Sequence, residues 1–233
     1  MKRKYLTFPI RILGVDPADI KTRLADSISY CLYEKTINTF GSVEDRIKQA
    51  AEGLGIKYDP SKKEHYLKTY EGGEIIYQSI PENSPKTSIG LDVVTDFYKY
   101  EKTDFEIACF LAFAAIKSIL QRQPYSKITN EYLAGRMAGN SKPGEPLNDF
   151  VFRFNNRYQL DKIKSELQRS WGLKMYCGKM RGFYVSFSLS HEQLIYYAET
   201  KRKKYRDELM KSKINEAKQR ALSSIYNKKD QQL

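Results

Sequence analysis

Apolar residues recur at helical spacing through most of the chain. Ile20, Leu24, Ile28, Cys31 and Leu32 predict a helix to about Glu34, and Asp16-Pro17 reads as its start, with Asp as N-cap and Pro at the first helical position. Before it, Tyr5–Leu13 is apolar-rich and reads as a short strand or an anchored arm. Ser42 followed by Asp45 resembles a capping box, opening a short helix that stops at Gly53 or Gly55. Ser61 opens a polar third helix, which the Gly72-Gly73 pair is expected to break. A short apolar stretch, Glu74–Ile80, then runs into a Pro81–Pro85 loop, and Leu91–Tyr98 predicts another short helix.

The strongest helix begins at Thr103/Asp104. From Phe105 to Leu120 it is apolar almost all round, the mark of a helix buried on several sides, so it is expected to be the hub of the molecule. Gln121–Lys127, with Pro124, predicts a turn, and Thr129 caps a short helix over Asn130–Ala138 that Gly139 ends. After a loop with two prolines, Asn148 can cap a helical region over 149–170, which reads as two helices or one kinked helix because the spacing slips around Tyr158. Leu173–Cys177 and Phe183–Leu189 read as strands of a hairpin with a basic tip, Gly178-Lys-Met-Arg-Gly182. The second strand alternates Phe183, Val185, Phe187 and Leu189 with Tyr184, Ser186 and Ser188. Ser190-His-Glu-Gln193 opens a last helix that meets no Pro or Gly before Tyr226, and its apolar stripe is thin for a coiled coil.

The fold class expected is therefore mainly α with a small β-hairpin. It divides into a helical N-terminal region (1–103), a central domain (104–190) and a basic C-terminal helix and tail (191–233). With 41% apolar and 13% aromatic residues, the 233-residue chain has enough to bury a core and is too hydrophobic for a disordered one. No apolar run approaches the roughly 20 residues of a membrane span. The three cysteines, Cys31, Cys109 and Cys177, are odd in number and widely spaced, which predicts free thiols in a cytoplasmic protein.

Charge sharpens this picture. The net charge of +12 is confined to one half: residues 1–120 hold 17 Lys/Arg and 17 Asp/Glu, whereas 121–233 hold 23 and 11. Such asymmetry points to a polyanion met by the second half.

The order helix, turn, short helix, loop, basic helix, hairpin over residues about 104–190 resembles the winged helix-turn-helix family. The resemblance rests on that order, on Ile128-Thr-Asn-Glu-Tyr-Leu-Ala-Gly-Arg-Met as the helix before the turn, and on Trp171-Gly-Leu leading into the hairpin. More loosely, the whole chain resembles small uncharacterised proteins of bacterial mobile elements. The family resemblance implies double-stranded DNA as partner, with the second helix in the major groove. With Leu160, Ile163 and Leu167 inward, Lys162, Ser165, Gln168 and Arg169 face outward, with Lys164 and Asp161 at the margins. A second cluster, Arg153, Asn155, Asn156 and Arg157, is the alternative reader. Lys179 and Arg181 would meet phosphates or the minor groove from the wing, and Thr129 and Asn130 lie at a helix N-terminus suited to a phosphate. Trp171 and Phe150, Phe154, Phe183 and Phe187 read as core.

Nothing in the sequence calls for catalysis, a cofactor, a metal or a small-molecule ligand. His65 and His191 stand apart from metal-ligand patterns, and no CxxC, HExxH, GxSxG, Walker or GxGxxG motif occurs. Asp92 and Asp96, four apart, read as surface charge. The function expected is non-enzymatic DNA binding, by a transcriptional regulator or a replication or mobility factor, with a homodimer through the last helix as one arrangement. The rival is an adaptor or assembly protein whose winged helix and basic tail bind an acidic partner.

Overall fold

A computed structural model describes residues 4–178 and 181–230 of the chain. Its first strand, β1 (Tyr5–Pro9), pairs antiparallel with β2 (Lys86–Gly90), in a register running from Tyr5↔Gly90 to Pro9↔Lys86. Leu6, Phe8, Thr87 and Ile89 face inward, while Thr7 and Ser88 share a hydroxyl hydrogen bond of 2.8 Å on the outside. β2 was not expected, because Lys-Thr-Ser-Ile-Gly carries one large apolar residue. Its buried Thr87 is satisfied by donating its hydroxyl to the Ala114 carbonyl, 2.9 Å away.

After a one-turn helix, α1 (Arg11–Gly14), the long α2 (Ile20–Ile37) starts three residues later than Asp16-Pro17 suggests. Asp16 adopts φ 50°, turning the chain, and the cap is Asp19, which accepts the Thr22 N–H. Thr22, through its side chain and its backbone N–H, holds the Asp19 carboxyl below its ordinary pKa. α3 (Val43–Leu54) is capped by Ser42 and stopped by Gly55, as its sequence predicts.

The third helix differs from expectation. A 3-10 turn (Pro60–Lys62) leads into α4 (Lys63–Ser79), which runs unbroken through Gly72-Gly73 and absorbs the apolar stretch after it. A Cβ on Gly73 would lie 2.1 Å from the Ser29 carbonyl oxygen, so this glycine lets α4 press against α2 instead of ending a helix.

α5 (Leu91–Lys99) leads to the hub α6 (Asp104–Leu120), whose N-terminus is closed by a reciprocal capping box between Thr103 and Glu106. Phe110, Leu111, Ala114, Ala115 and Ile116 are wholly buried, and α6 touches β2 on one side and the following helices on the other. One buried apolar cluster extends from Leu6 to Val185.

The second half contributes β3 (Ser126–Ile128), α7 (Asn130–Met137), α8 (Asp149–Phe154), α9 (Arg157–Ser170), β4 (Lys174–Tyr176) and β5 (Phe183–Ser186). Its sheet is antiparallel in the order β3–β5–β4. β3 occupies the end of the segment expected to be a turn. Three residues carry too little alternation to announce a strand, and only pairing with β5 defines it. The 149–170 region resolves into two helices, each with its own asparagine cap, Asn148 and Asn156. Trp171 packs on Phe113 with ring centroids 4.8 Å apart.

β5 is buried on both faces instead of alternating. Tyr184 lies under Leu194 and Ala198 of the last helix, and Ser186 donates its hydroxyl to the Pro124 carbonyl at 2.6 Å. That helix, α10 (His191–Asp230), begins with the Ser190/Gln193 capping box and is anchored where the Tyr176 hydroxyl donates to Glu199 at 2.6 Å. From 203 to 220 every side chain is exposed, so this 40-residue helix, about 60 Å long at 1.5 Å per residue, extends past the body beyond its first turns. Among the described residues no helix is long and apolar enough to cross a membrane, and the three cysteines are free.

Candidate nucleic-acid interface

The N-terminus of α7, the first half of α9 and the β4–β5 hairpin converge on one cleft of about 570 Å³. Local chemistry sets each wall. Thr129, in extended conformation, caps α7 by accepting the Tyr132 N–H at 3.1 Å, and Asn156 caps α9 by accepting the Gln159 N–H at 2.9 Å. Gly182 has φ 92°, and a Cβ there would come 2.6 Å from the Ile128 carbonyl oxygen. Only glycine lets β5 close against β3 at this point.

Five of the residues expected to meet DNA line this cleft together: Thr129, Asn130, Arg157, Lys164 and Arg181. Two of them are free to reach outward. The Arg157 side chain is 92% exposed, with its Nε 3.8 Å from Asp161, and Arg181 is 87% exposed, 3.8 Å from Glu131. At that separation and exposure an ion pair contributes little, so either guanidinium can exchange its carboxylate for a phosphate.

Lys164 corrects the expectation that it lies at the margin of an outward face. It is only 6% exposed, pairs with Asp161, donates to Asn130 Oδ1 at 3.2 Å and sits 4.8 Å from the centre of the Phe183 ring. Its stem packs as core and its ammonium ties α9 to the start of α7. Asn130 is held by the same bond.

The remaining candidates divide among three places. Lys162, Ser165 and Arg169 follow Tyr158 along the exposed stripe of α9. Lys162 Nζ lies 5.6 Å from the ring centres of both Phe105 and Tyr158, and the Ser165 hydroxyl turns back to the Asp161 carbonyl at 2.8 Å. Gln168 is exposed near the end of the helix. Arg169 pairs with Glu166 and lines a separate hollow of about 380 Å³ with Asp96, Glu106 and Trp171, which shares no residue with the first cleft.

Arg153 belongs to α8, where Asp104 holds its Nη1 at 3.1 Å and Phe150 lies 5.1 Å under the guanidinium. Asn156 uses its carbonyl oxygen as a cap. Lys179 lies outside the described residues. The helix before the hairpin thus begins at Arg157, which sets that residue in its first turn and Gln168 and Arg169 in its last.

Sequence reasoning missed Glu131, the carboxylate opposite Arg181, and Tyr158, an exposed aromatic beside Lys162. The slip of apolar spacing at Tyr158 was the available signal for an outward aromatic. Among the described residues no group of three or more His, Cys, Asp or Glu could hold a metal ion, and Asp96 is engaged by Lys102 at 2.6 Å. Comparison of the chain with protein-family models, with curated proteins and with solved structures found no match.

Proposed function

We propose that the chain is a non-enzymatic double-stranded DNA-binding protein, in which residues 104–190 act as a winged helix-turn-helix. In this reading α9 enters the major groove by its N-terminal half, and the β4–β5 hairpin is the wing. The observation that carries the reading is the cleft. An α6–β3–α7–α8–α9–β4–β5 order with sheet order β3–β5–β4 gathers the N-termini of α7 and α9 and two loosely paired arginines on one side. Backbone N–H groups at helix N-termini and exposed guanidinium groups are the donors that phosphate oxygens need. Tyr158, Lys162 and Ser165 continue from Arg157 along the exposed stripe and supply contacts to base edges or further phosphates. A transcriptional regulator and a replication or mobility factor would use this surface alike.

The test is fluorescence anisotropy of the full chain on a labelled duplex across a salt series. Affinity falling steeply and linearly in log–log form, with a slope of several counterions, is expected. Absence of duplex binding at about 50 mM salt, where such contacts are strongest, defeats the reading.

One observation favours the second reading, an adaptor or self-assembling protein. The exposed part of α10 carries Leu209, Met210 and Ile214 among its basic residues. Association of the chain with itself or with an acidic protein, without duplex binding, would support that reading instead.

A further inference from the structure

Arg136, near the end of α7, is a buried cation without a counter-charge. It is 6% exposed, and its Nη2 donates to the Tyr132 hydroxyl at 2.8 Å. Its Nε and Nη1 are buried with no hydrogen-bond partner, and no carboxylate among the described residues lies within ion-pair distance. A guanidinium keeps its charge at any pH a protein survives, so it cannot escape burial by losing a proton. Burying a charge with several unmade hydrogen bonds is costly unless another group completes them.

The surroundings say which kind of group. Arg136 borders a hollow of about 390 Å³ that holds Glu131 and Glu145, neither of them paired with it, and also lines an open polar cavity of about 930 Å³ between the end of α6, the 81–85 loop and the outer face of the β1–β2 pair. Ser84, on that loop, lines the same cavity, and its hydroxyl too is buried without a partner. Lys117 and Arg122 stand on the wall, against the single carboxylate Glu82; Lys86 is also there but is paired with Glu34. The volume is that of a site for a small molecule, and three cations without an ion pair, of which Lys117 rests 5.2 Å from the Phe187 ring centre, against one carboxylate call for more than one negative charge.

We propose that this cavity binds a small phosphorylated molecule, with the phosphoryl oxygens accepting from Arg136 and Ser84 and the rest of its charge facing Arg122 and Lys117. A guanidinium offers two parallel N–H groups to a phosphate, and Nη1 forms such a fork with the second N–H of Nη2. Access requires the Arg136 fork to turn toward the cavity. The site is independent of the DNA reading, because it shares no residue with the cleft at Thr129 and Asn130.

The test is isothermal titration of the full chain, without DNA, using pyrophosphate, inorganic phosphate and citrate at constant ionic strength. Pyrophosphate is expected to bind one to one and more tightly than citrate, with affinity reduced at least tenfold in Arg136→Met. Arg122→Met, at an exposed position on the rim, should weaken it severalfold with no effect on folding. No saturable binding of either phosphate probe overturns the proposal. So does unchanged pyrophosphate affinity in Arg136→Met or, should that variant fail to fold, in Arg122→Met. Citrate binding as tightly as pyrophosphate would overturn the phosphate assignment.

Discussion

The two halves of the chain differ in their balance of charge. In the first, cations and carboxylates are equal in number, and several cations are matched across elements: Lys21 with Glu101, Lys63 with Glu44, Lys86 with Glu34. In the second, cations outnumber carboxylates by 23 to 11, and Arg157 and Arg181 are left with partners at 3.8 Å. A surface lysine is therefore no guide to binding by itself. What matters is whether a carboxylate already holds it, and the surplus lies around α7, α9, the hairpin and α10.

The sharpest way to break this comparison is to remove charge from each half in turn. Arg157→Ala with Arg181→Ala should lower duplex affinity about a hundredfold at low salt, taking roughly 1.4 kcal/mol for each charge-assisted contact, and should reduce the salt slope. Lys21→Ala with Lys63→Ala should leave affinity within about twofold, since those charges are already paired. Anisotropy on the same duplex measures both, and equal losses would dissolve the distinction between the halves.

The second experiment concerns what the neutral half contributes instead, which is packing. Gly73→Ala drives a methyl group into the Ser29 backbone, so α2 and α4 must separate. A loss of about 2–3 kcal/mol is expected, the usual range for overpacking, read as a lowered denaturant midpoint with m unchanged. Gly72→Ala, one residue away with nothing within 4 Å of the added carbon, should be neutral or slightly stabilising, because alanine is the better helix former. Equal destabilisation by both would show that helix propensity, not the approach of two helices, explains the pair.

The smallest effect sharpens the comparison inside the basic half. Lys164 is a cation there with a structural role, so Lys164→Ala should cost about 1–2 kcal/mol of stability by removing the link to Asn130 and the packing on Phe183. Arg157→Ala, at a nearly fully exposed side chain, should change stability by less than about 0.5 kcal/mol. Urea titration of the two variants reads the difference. A Lys164→Ala protein as stable as the parent would return that residue to the surface set.

The elements legible along the chain share one property: their signals are local. Ser42, Thr129, Asn148 and Ser190 cap the helices they were expected to cap, because a cap involves a side chain and a backbone N–H two or three residues later. The apolar girth of 105–120 likewise foretold a buried hub, and the +12 in the second half needed only counting. The candidate cleft was legible as a set of residue types at Thr129, Asn130, Arg157 and Arg181, but not as one place, since it joins a helix start, a second helix and a hairpin tip.

What tertiary structure alone decided involves partners distant in sequence. β2 is a strand because β1, some eighty residues earlier, pairs with it, and β3 is one because β5 does. Gly73 reads as a breaker until α2 lies against it. Lys164 and Arg136 are two basic residues that composition cannot tell from any others. One is buried against Asn130 and Asp161, the other against nothing of opposite charge, and the difference arises because burial is a property of the packed chain. By itself the sequence determined where several helices start, which helix is central and which half carries the charge, all of which follow from short-range hydrogen bonding, periodicity and counting. Packing decided which charges remain available to a ligand, since that depends on carboxylates and walls brought in from elsewhere in the chain.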